Sequence, residues 1–313
     1  MPNKRPTYKA NHKTSPAFSY GGRIVCGTSG LGGVWGAIDP DESVQTILYA
    51  LENGIRAFDT APSYANAELY LGMALQEWKG ERPFISTKAG RKKGATAFDF
   101  TLDYSSSSLE QSLHQSLRLL GLEYIDLLFL HEPQLVPLAE MERIIRCLNG
   151  FKAQGLVKSI GIGGNPTPGI LPFIKKENFD VVSGFLKLDA CNLSALETEL
   201  PILKSECIAY YAASSLHFSL LGNRLDQYIA DGPDGTWITQ RDIDNALKVK
   251  ELAACQPIAL SSLAQRYLFS IEEADRVVVG ARNAKQMKDT IQDWNEGALP
   301  EFLFETITDL IIS

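Results

Sequence analysis

The pattern that most constrains this chain is an alternation. From residue 23 onward, short apolar runs rich in β-branched and aromatic residues are followed by stretches whose apolar residues recur at helical spacing. The strand-like runs fall at 23–27, 55–58, 84–87, 124–130, 159–162, 181–182, 207–211 and 277–279. The first helical stretch opens with Asp39 as N-cap, Pro40 at the first helical position and Glu42 closing a capping-box-like pair. It carries Val44, Ile47, Leu48 and Leu51 and stops at Gly54. A Leu69/Met73 stripe marks the second helix. Ser107 with Glu110 is expected to cap the third, which carries Leu109, Leu113, Leu117 and Leu120 and ends at Gly121. The stripe Met141, Ile144, Ile145, Leu148 and Phe151 marks the fourth, and later helices are expected over 170–176, 196–203, 243–254 and 285–294.

Strands that alternate with helices lie parallel, and about eight such units close into a (β/α)8 TIM barrel. The expected fold is therefore α/β, with one barrel domain over 21–313 behind a mobile N-terminal arm at 1–20 that is expected to lie partly across the barrel floor. The rival is a doubly wound open sheet. It is weakened because Gly30-Leu-Gly-Gly33, after the first strand, lacks the G-x-G-x-x-G spacing of a dinucleotide loop. The segments 91–106 and 213–242 are the main irregular insertions, and long loops in compact domains often carry function.

Composition narrows the setting. Of 313 residues, 45% are hydrophobic, enough for a large core, and no stretch reads as a membrane span. Lys plus Arg is 30 against 37 Asp plus Glu, a net charge of −7, which argues against nucleic acid as the main partner. The first twenty residues are polar and basic with no apolar run, unlike a secretory signal. The five cysteines are scattered, odd in number and without a C-x-x-C pair, which suits a reducing, cytoplasmic interior.

Four polar residues stand where barrel chemistry is done. Asp59 ends the second strand, Tyr64 lies in the loop that follows, Lys88 ends the third strand and His131 the fourth. Strand C-termini converge on one face of a barrel, the face that holds the active site in this architecture. Each residue alone has an ordinary reading: a loop-capping Asp, a pocket-wall Tyr, a solvated Lys beside Arg91, Lys92 and Lys93, a hydrogen-bonded His. Together they make a proton-transfer site. An ammonium near a phenol favours phenolate and lowers its pKa, and a carboxylate holds the ammonium in place. Tyr64 then gives a proton to a carbonyl oxygen as hydride arrives, or removes one in the oxidative direction, while His131 orients that oxygen.

Over nearly the whole chain from Gly27 onward, the sequence resembles the aldo-keto reductase family, in particular its sugar-dehydrogenase-like branch. The resemblance rests on Phe58-Asp-Thr-Ala-Pro-Ser-Tyr64 with Glu68 and Leu71-Gly72, on Ser86-Thr-Lys88, and on Tyr124-Ile-Asp-Leu-Leu-Phe-Leu-His131. Gly155-Leu-Val-Lys-Ser-Ile-Gly161 and Val279-Gly-Ala-Arg282 add to it. It implies an NAD(P)-dependent oxidoreductase that binds its cofactor extended, without a Rossmann domain, and acts on a small carbonyl or sugar substrate. The oligomeric state stays open.

Carried over residue by residue, the resemblance makes Asn165 the holder of the nicotinamide carboxamide and puts Ser183 where the family has Gln. The run Ala212-Ala-Ser-Ser-Leu216 matches the region after the seventh strand, with Ser214 and Leu216 as cofactor contacts. Ala212 stands where the family often stacks an aromatic ring, and Tyr211 takes that place if the register differs by one. Gly280, Arg282 and Gln286 precede or open the last expected helix. A helix N-terminus beside an arginine suits a phosphate, which favours NADP while leaving NAD open; Thr290 replaces the Asn expected against adenine. Trp35 and Trp237 are candidate walls of the substrate pocket. Two alternatives stand beside this reading. One is a non-enzymatic NADP(H)-binding redox sensor. The other is a metal-dependent barrel hydrolase or lyase built on Asp59, His131, Glu132 and His217, although no H-x-H or H-E-x-x-H spacing is present and no resident metal is expected.

Overall fold

The structure, a computed structural model, describes residues 4–94 and 99–313. In chain order the strands are β1 (Ile24–Gly27), β2 (Ala57–Asp59), β3 (Phe84–Ala89), β4 (Arg91–Lys93), β5 (Phe100–Leu102), β6 (Ile125–His131), β7 (Val157–Gly163), β8 (Val181–Phe185), β9 (Ala209–Ala213) and β10 (Arg276–Gly280). The helices are α1 (Pro40–Glu52), α2 (Ala67–Glu77), α3 (Ser106–Leu120), α4 (Met141–Ala153), α5 (Leu200–Ser205), α6 (Leu225–Asp231), α7 (Gln240–Cys255), α8 (Leu260–Phe269), α9 (Ala284–Glu296) and α10 (Glu301–Ile312). Eight strands close a parallel barrel in the order β1-β10-β9-β8-β7-β6-β3-β2, so every barrel strand has two neighbours and no edge is left. This is the expected (β/α)8 fold. The antiparallel pair β4–β5, which follows β3 in the chain, stands apart from the barrel as a two-stranded sheet.

Alternation along each strand sorts the side chains into two cores. Val25, Ala57, Leu127, Phe129, Val181, Ala209, Tyr211 and Val278 fill the barrel, with Phe18 and Phe84 packed against them. A larger layer between strands and helices takes the opposite faces, including Ile24, Phe58, Leu128, Val182, Tyr210 and Ala212. The segment ahead of β1 lies against the barrel floor through Phe18. Phe18 and Phe84 flank the Arg276 guanidinium, at 4.0 and 4.1 Å from their ring centroids. Arg276 also donates to the Tyr211 hydroxyl at 2.6 Å and to the Gly22 carbonyl at 2.8 Å. Further out, Tyr8 bridges Ile271 and donates its hydroxyl to the Leu299 carbonyl, and His12 packs edge-on against Trp294.

Several local expectations need correction. Asp39 caps α1 as read, accepting from the amides of Asp41 and Glu42, with Pro40 opening the helix. The α3 cap is Ser105 rather than Ser107: its hydroxyl accepts the Ser108 amide, so the helix starts earlier. Leu69 and Met73 of α2 face outward, 43% and 38% exposed, while Tyr70, Leu71 and Ala74 face the core. The reason is close approach. A Cβ on Gly72 would lie 1.9 Å from the Leu119 carbonyl oxygen, so α2 meets α3 at Gly72, with Tyr70, Leu71 and Ala74 turned inward and Leu69 and Met73 left outside. The helix expected over 170–176 is only a 3-10 turn, Leu171–Phe173, because Pro172 removes an amide donor and Pro166 and Pro168 precede it. The strand expected from 207 begins at Ala209, since Cys207 sits at φ 55°, outside extended backbone. Within the 91–106 and 213–242 insertions lie the β4–β5 hairpin and α6; α8 and α10 were not anticipated.

Candidate active site

Asp59, Lys88 and His131 are the last or next-to-last residues of β2, β3 and β6, which are neighbours in the barrel, so their side chains converge at one mouth. All three are buried. The Lys88 ammonium donates to Asp59 Oδ2 at 2.6 Å and to the Thr60 carbonyl at 2.9 Å. Asp59 Oδ1 accepts the Ser86 hydroxyl at 2.8 Å, so both carboxylate oxygens are engaged. Tyr64 is half-buried, and Lys88 Nζ lies 4.7 Å from its ring centroid. The His131 ring meets the Tyr64 ring edge-on, with centroids 6.0 Å apart. The structure thus brings all four residues of the expected set together.

Electrostatics give the set a definite resting state. Burial opposes the charge on Lys88, but Asp59 and Tyr64 together hold its pKa above the ordinary lysine value. Burial raises the Tyr64 pKa, and Lys88 works against that without overcoming it. Net lowering of the phenol, expected from the ammonium alone, is therefore reversed: burial wins, and Tyr64 rests as a neutral phenol. Burial, with Lys88 and Arg91 adding to it, pushes His131 well below its ordinary value. The imidazole is neutral, and its Nδ1 is buried without a hydrogen-bond partner among the described residues, an orphaned atom at the mouth.

Further residues, some of them without a sequence signal, support this set. Tyr104 donates its hydroxyl to the carbonyls of His131 and Glu132 at 2.9 and 3.0 Å, pinning the end of β6. Glu132 (φ 53°) receives Arg91 at 2.7 Å, and Arg91 stacks over Phe100 at 4.1 Å. Arg91 was legible only as one more charge in the run after Lys88. An aromatic wall forms from Phe185 and Phe218, which had no sequence signal, and from Trp35 and Trp237. Phe218 stacks on Phe185 with centroids 6.0 Å apart, and Trp237 is 5.2 Å from Phe185 and 6.4 Å from Phe218. Trp35 reaches the wall at 6.4 Å from Phe218.

The expected cofactor residues lie around the same mouth. Asn165 follows β7, and its side chain is tied to the Phe185 backbone: Nδ2 donates to the carbonyl at 3.0 Å and Oδ1 accepts the amide at 3.0 Å. Ser183 is within β8, and Ser214 and Leu216 lie in the turn after β9. Tyr211 is not at the mouth, because its hydroxyl is held by Arg276 at the floor; Ala212 faces the outer layer, and Ala213 is the inward residue above Tyr211. Gly280 ends β10 with open space where a side chain would stand. Arg282 and Gln286 are exposed at the start of α9, where Gln286 accepts the Arg282 amide at 2.8 Å. The Gly-rich first loop serves close packing. A Cβ on Gly30 would meet the Ala281 carbonyl at 2.4 Å, and one on Gly32 the Tyr64 carbonyl at 2.2 Å. An extended nicotinamide dinucleotide fits these residues: an orphaned imidazole nitrogen at one end, open space before a helix N-terminus with an exposed arginine at the other.

The metal-site alternative fails on geometry. Asp59 is paired with Lys88 and Glu132 with Arg91, whereas His217 is held by Asp189. Among the described residues, the cluster dense enough in ligand atoms is Asp189, Cys191 and His217, without Asp59, His131 or Glu132.

Barrel and strand-end set together define an oxidoreductase of the (β/α)8 class. The chain belongs to the aldo/keto reductase family, whose pattern matches residues 23–312. It is 28% identical over 275 residues to L-galactose dehydrogenase of Arabidopsis thaliana, covering 85% of this chain and 82% of that protein. It is 26% identical over 313 residues to D-threo-aldose 1-dehydrogenase of Pseudomonas sp, covering 92% of each. A solved glycerol dehydrogenase from Gluconobacter oxydans shares the fold, with a TM-score of 0.76 at 22% identity over 96% of this chain and 94% of that one. The protein is an NAD(P)-dependent oxidoreductase, and neither alternative reading is favoured. No helix among the described residues is long and apolar enough to cross a membrane.

Proposed function

We propose that this chain interconverts a sugar, or a similar small carbonyl compound, and its hydride-transfer partner with NADP(H), Tyr64 serving as general acid and base. The observation that carries the reading is the Lys88 ammonium, clamped to Asp59 at 2.6 Å and set 4.7 Å from the Tyr64 ring beside a neutral His131. A nicotinamide cofactor held at this mouth would supply the hydride that carbonyl reduction needs. Tyr64 gives its hydroxyl proton to the carbonyl oxygen, and Lys88 stabilises the phenolate left behind. His131 donates a hydrogen bond to the same oxygen and orients it. Oxidation runs the same transfers backwards, with Tyr64 taking the alcohol proton. The sugar preference rests on the activities named for the relatives, L-galactose and D-threo-aldose dehydrogenation. For the cofactor, Asn165 and Ser183 are assigned to the nicotinamide end, Ser214, Leu216 and Gly280 to the phosphates, and Arg282 with Gln286 to a 2′-phosphate.

The test is absorbance at 340 nm across a panel of aldoses and aldehydes with each nucleotide, for the natural chain and Tyr64→Phe. The substitution keeps the ring and removes one hydroxyl, so nucleotide affinity should hold while turnover falls about 10²–10⁴-fold. A Tyr64→Phe protein that binds NADPH normally and turns over near the natural rate rules the mechanism out.

A further inference from the structure

Away from the strand-end set, three ionisable side chains are sealed from water together and take no part in the proton transfer. Asp189 and His217 are 0% exposed and Asp242 is 3% exposed. They come from three segments: the loop after β8, the turn after β9 and the first turn of α7. His217 Nδ1–H donates to Asp189 Oδ2 at 2.7 Å, and Nε2 faces Asp242 Oδ2 at 3.7 Å, too far for a hydrogen bond but close for an ion pair. Asp189 Oδ1 accepts the amides of Cys191 and Asn192. Asp242 accepts the amide and hydroxyl of Thr239, closing a capping box, and the Asn192 side chain. Burial works against the imidazolium, but the two carboxylates push the His217 pKa up to about 10, so the ring is charged at neutral pH.

A buried ion cluster adds little net stability over apolar packing, while breaking it strands a charge; where one persists, what it specifies is position. Here the positioned groups are the aromatic wall. Phe218 follows His217 directly, and Trp237 stands two residues before Thr239, the residue that Asp242 holds. The backbone of the turn after β9 lies on the left-handed side at Ser214, His217, Phe218 and Ser219, with φ of 62°, 47°, 51° and 67°. Non-glycine residues keep such angles only where their surroundings over-determine them. The His217 ring, gripped from both sides, is the buried anchor of that turn. Asp234 completes the frame by accepting the amides of Thr236, Trp237 and Ile238.

We propose that His217, clamped between Asp189 and Asp242, is a positioning residue that holds Phe218 and Trp237 in the aromatic wall and thereby sets the affinity for the carbonyl substrate. This rests on the oxidoreductase site proposed above, and it leaves proton transfer at Tyr64 untouched. His217→Gln and Asp242→Asn are compared with the natural chain at saturating cofactor. KM for the best substrate of the panel is expected to rise by about tenfold or more, with kcat within about threefold. In a Phe218→Leu background His217→Gln should add little further, since both changes disturb one contact. Acrylamide quenching of Trp237, isolated by subtracting a Trp237→Phe protein, should increase in both variants. An unchanged KM, effects that add in the double variant, or unchanged quenching overturns the proposal, and Asp242→Asn decides it if His217→Gln does not fold. Stoichiometric zinc in the purified protein would also overturn it, assigning Asp189, Cys191 and His217 to a metal instead. If the natural chain turns over no panel substrate, the substrate reading fails, and Trp237 quenching alone decides the positioning role.

Discussion

Tyr64 sits between two opposed influences, and the balance decides how the residue works. Burial raises its pKa and the Lys88 ammonium lowers it, with burial the stronger, so the resting phenol keeps the proton that carbonyl reduction needs. In the oxidative direction the same residue must lose that proton, and Lys88 is the group that helps it. Lys88→Met removes the cation and leaves Asp59 unpaired, and both changes disfavour the phenolate. The alkaline limb of the oxidative pH profile should therefore move upward, and turnover at neutral pH should fall about 10²-fold or more. A Lys88→Met enzyme with an unshifted profile would separate Lys88 from the tuning of Tyr64. Asp59, Tyr64, Lys88 and His131 were all legible in the sequence, because recognising a strand end is enough to place a side chain at the barrel mouth. The sign of the Tyr64 shift was not legible, because the burial that sets it comes from tertiary packing, which no local motif records. For the same reason Tyr211 could be moved to the mouth on paper, although its hydroxyl is committed to Arg276 on the floor.

At the scale of single elements, α2 and α9 make the sharpest claims. Helix α2 meets α3 across Gly72, where any Cβ would fall 1.9 Å from the Leu119 carbonyl oxygen. Two backbones cannot yield as a flexible side-chain tip does, so Gly72→Ala should destabilise the fold by about 1–3 kcal/mol, the range for overpacking. Thermal denaturation checks this, and a Tm equal to or above the natural chain's would contradict the close approach. Leu69→Ala, on the exposed face, should change Tm little. The sequence made this helix visible but turned its faces around, because a Leu/Met stripe outweighs small residues when hydrophobicity is counted without the neighbouring helix. At the start of α9, Arg282 lies across the first loop, with Nη2 3.2 Å from where a Cβ on Gly36 would be. Arg282→Ala should weaken NADP(H) binding roughly 10- to 150-fold, the worth of a charged hydrogen bond, and hardly affect NAD(H). Fluorescence titration with both nucleotides checks it, and equal losses would remove the 2′-phosphate assignment. Gly30-Leu-Gly-Gly33 had drawn attention as a weak phosphate loop; its glycines instead let this arginine and the Tyr64 loop pack closely.

For the molecule as a whole, closure of the barrel was the most legible property, because eight parallel units leave few other ways to satisfy every strand edge. What joins the loops above that barrel was hidden, since Asp189, His217 and Asp242 are 28 and 25 residues apart in sequence and follow no motif. Their cluster gives the fold a pH signature. The folded-state pKa of His217 is raised from the ordinary 6.5 to about 10, so the proton is bound more tightly in the native state than in the unfolded chain. Stability from this group is fully present below pH 6.5 and is lost as pH rises through 10. The other groups around the ring do not blur that window. Asp242 is held below its ordinary value by His217 and Thr239 despite burial, so it stays a carboxylate throughout. Burial raises the Cys191 thiol and the Tyr210 hydroxyl well above their ordinary values and raises Tyr267 too, which keeps all three neutral. Asp189 and the Lys187–Glu199 pair, 3.0 Å apart, complete the charged surroundings. Comparing the natural chain with His217→Gln cancels titrations elsewhere in the protein. The difference in Tm between the two should be largest near pH 6 and shrink steadily towards pH 10, because the unfolded natural chain gives up the proton that its folded state keeps, while the variant has none to bind. A gap that stays constant across that range would mean that His217 does not carry its charge into the folded state.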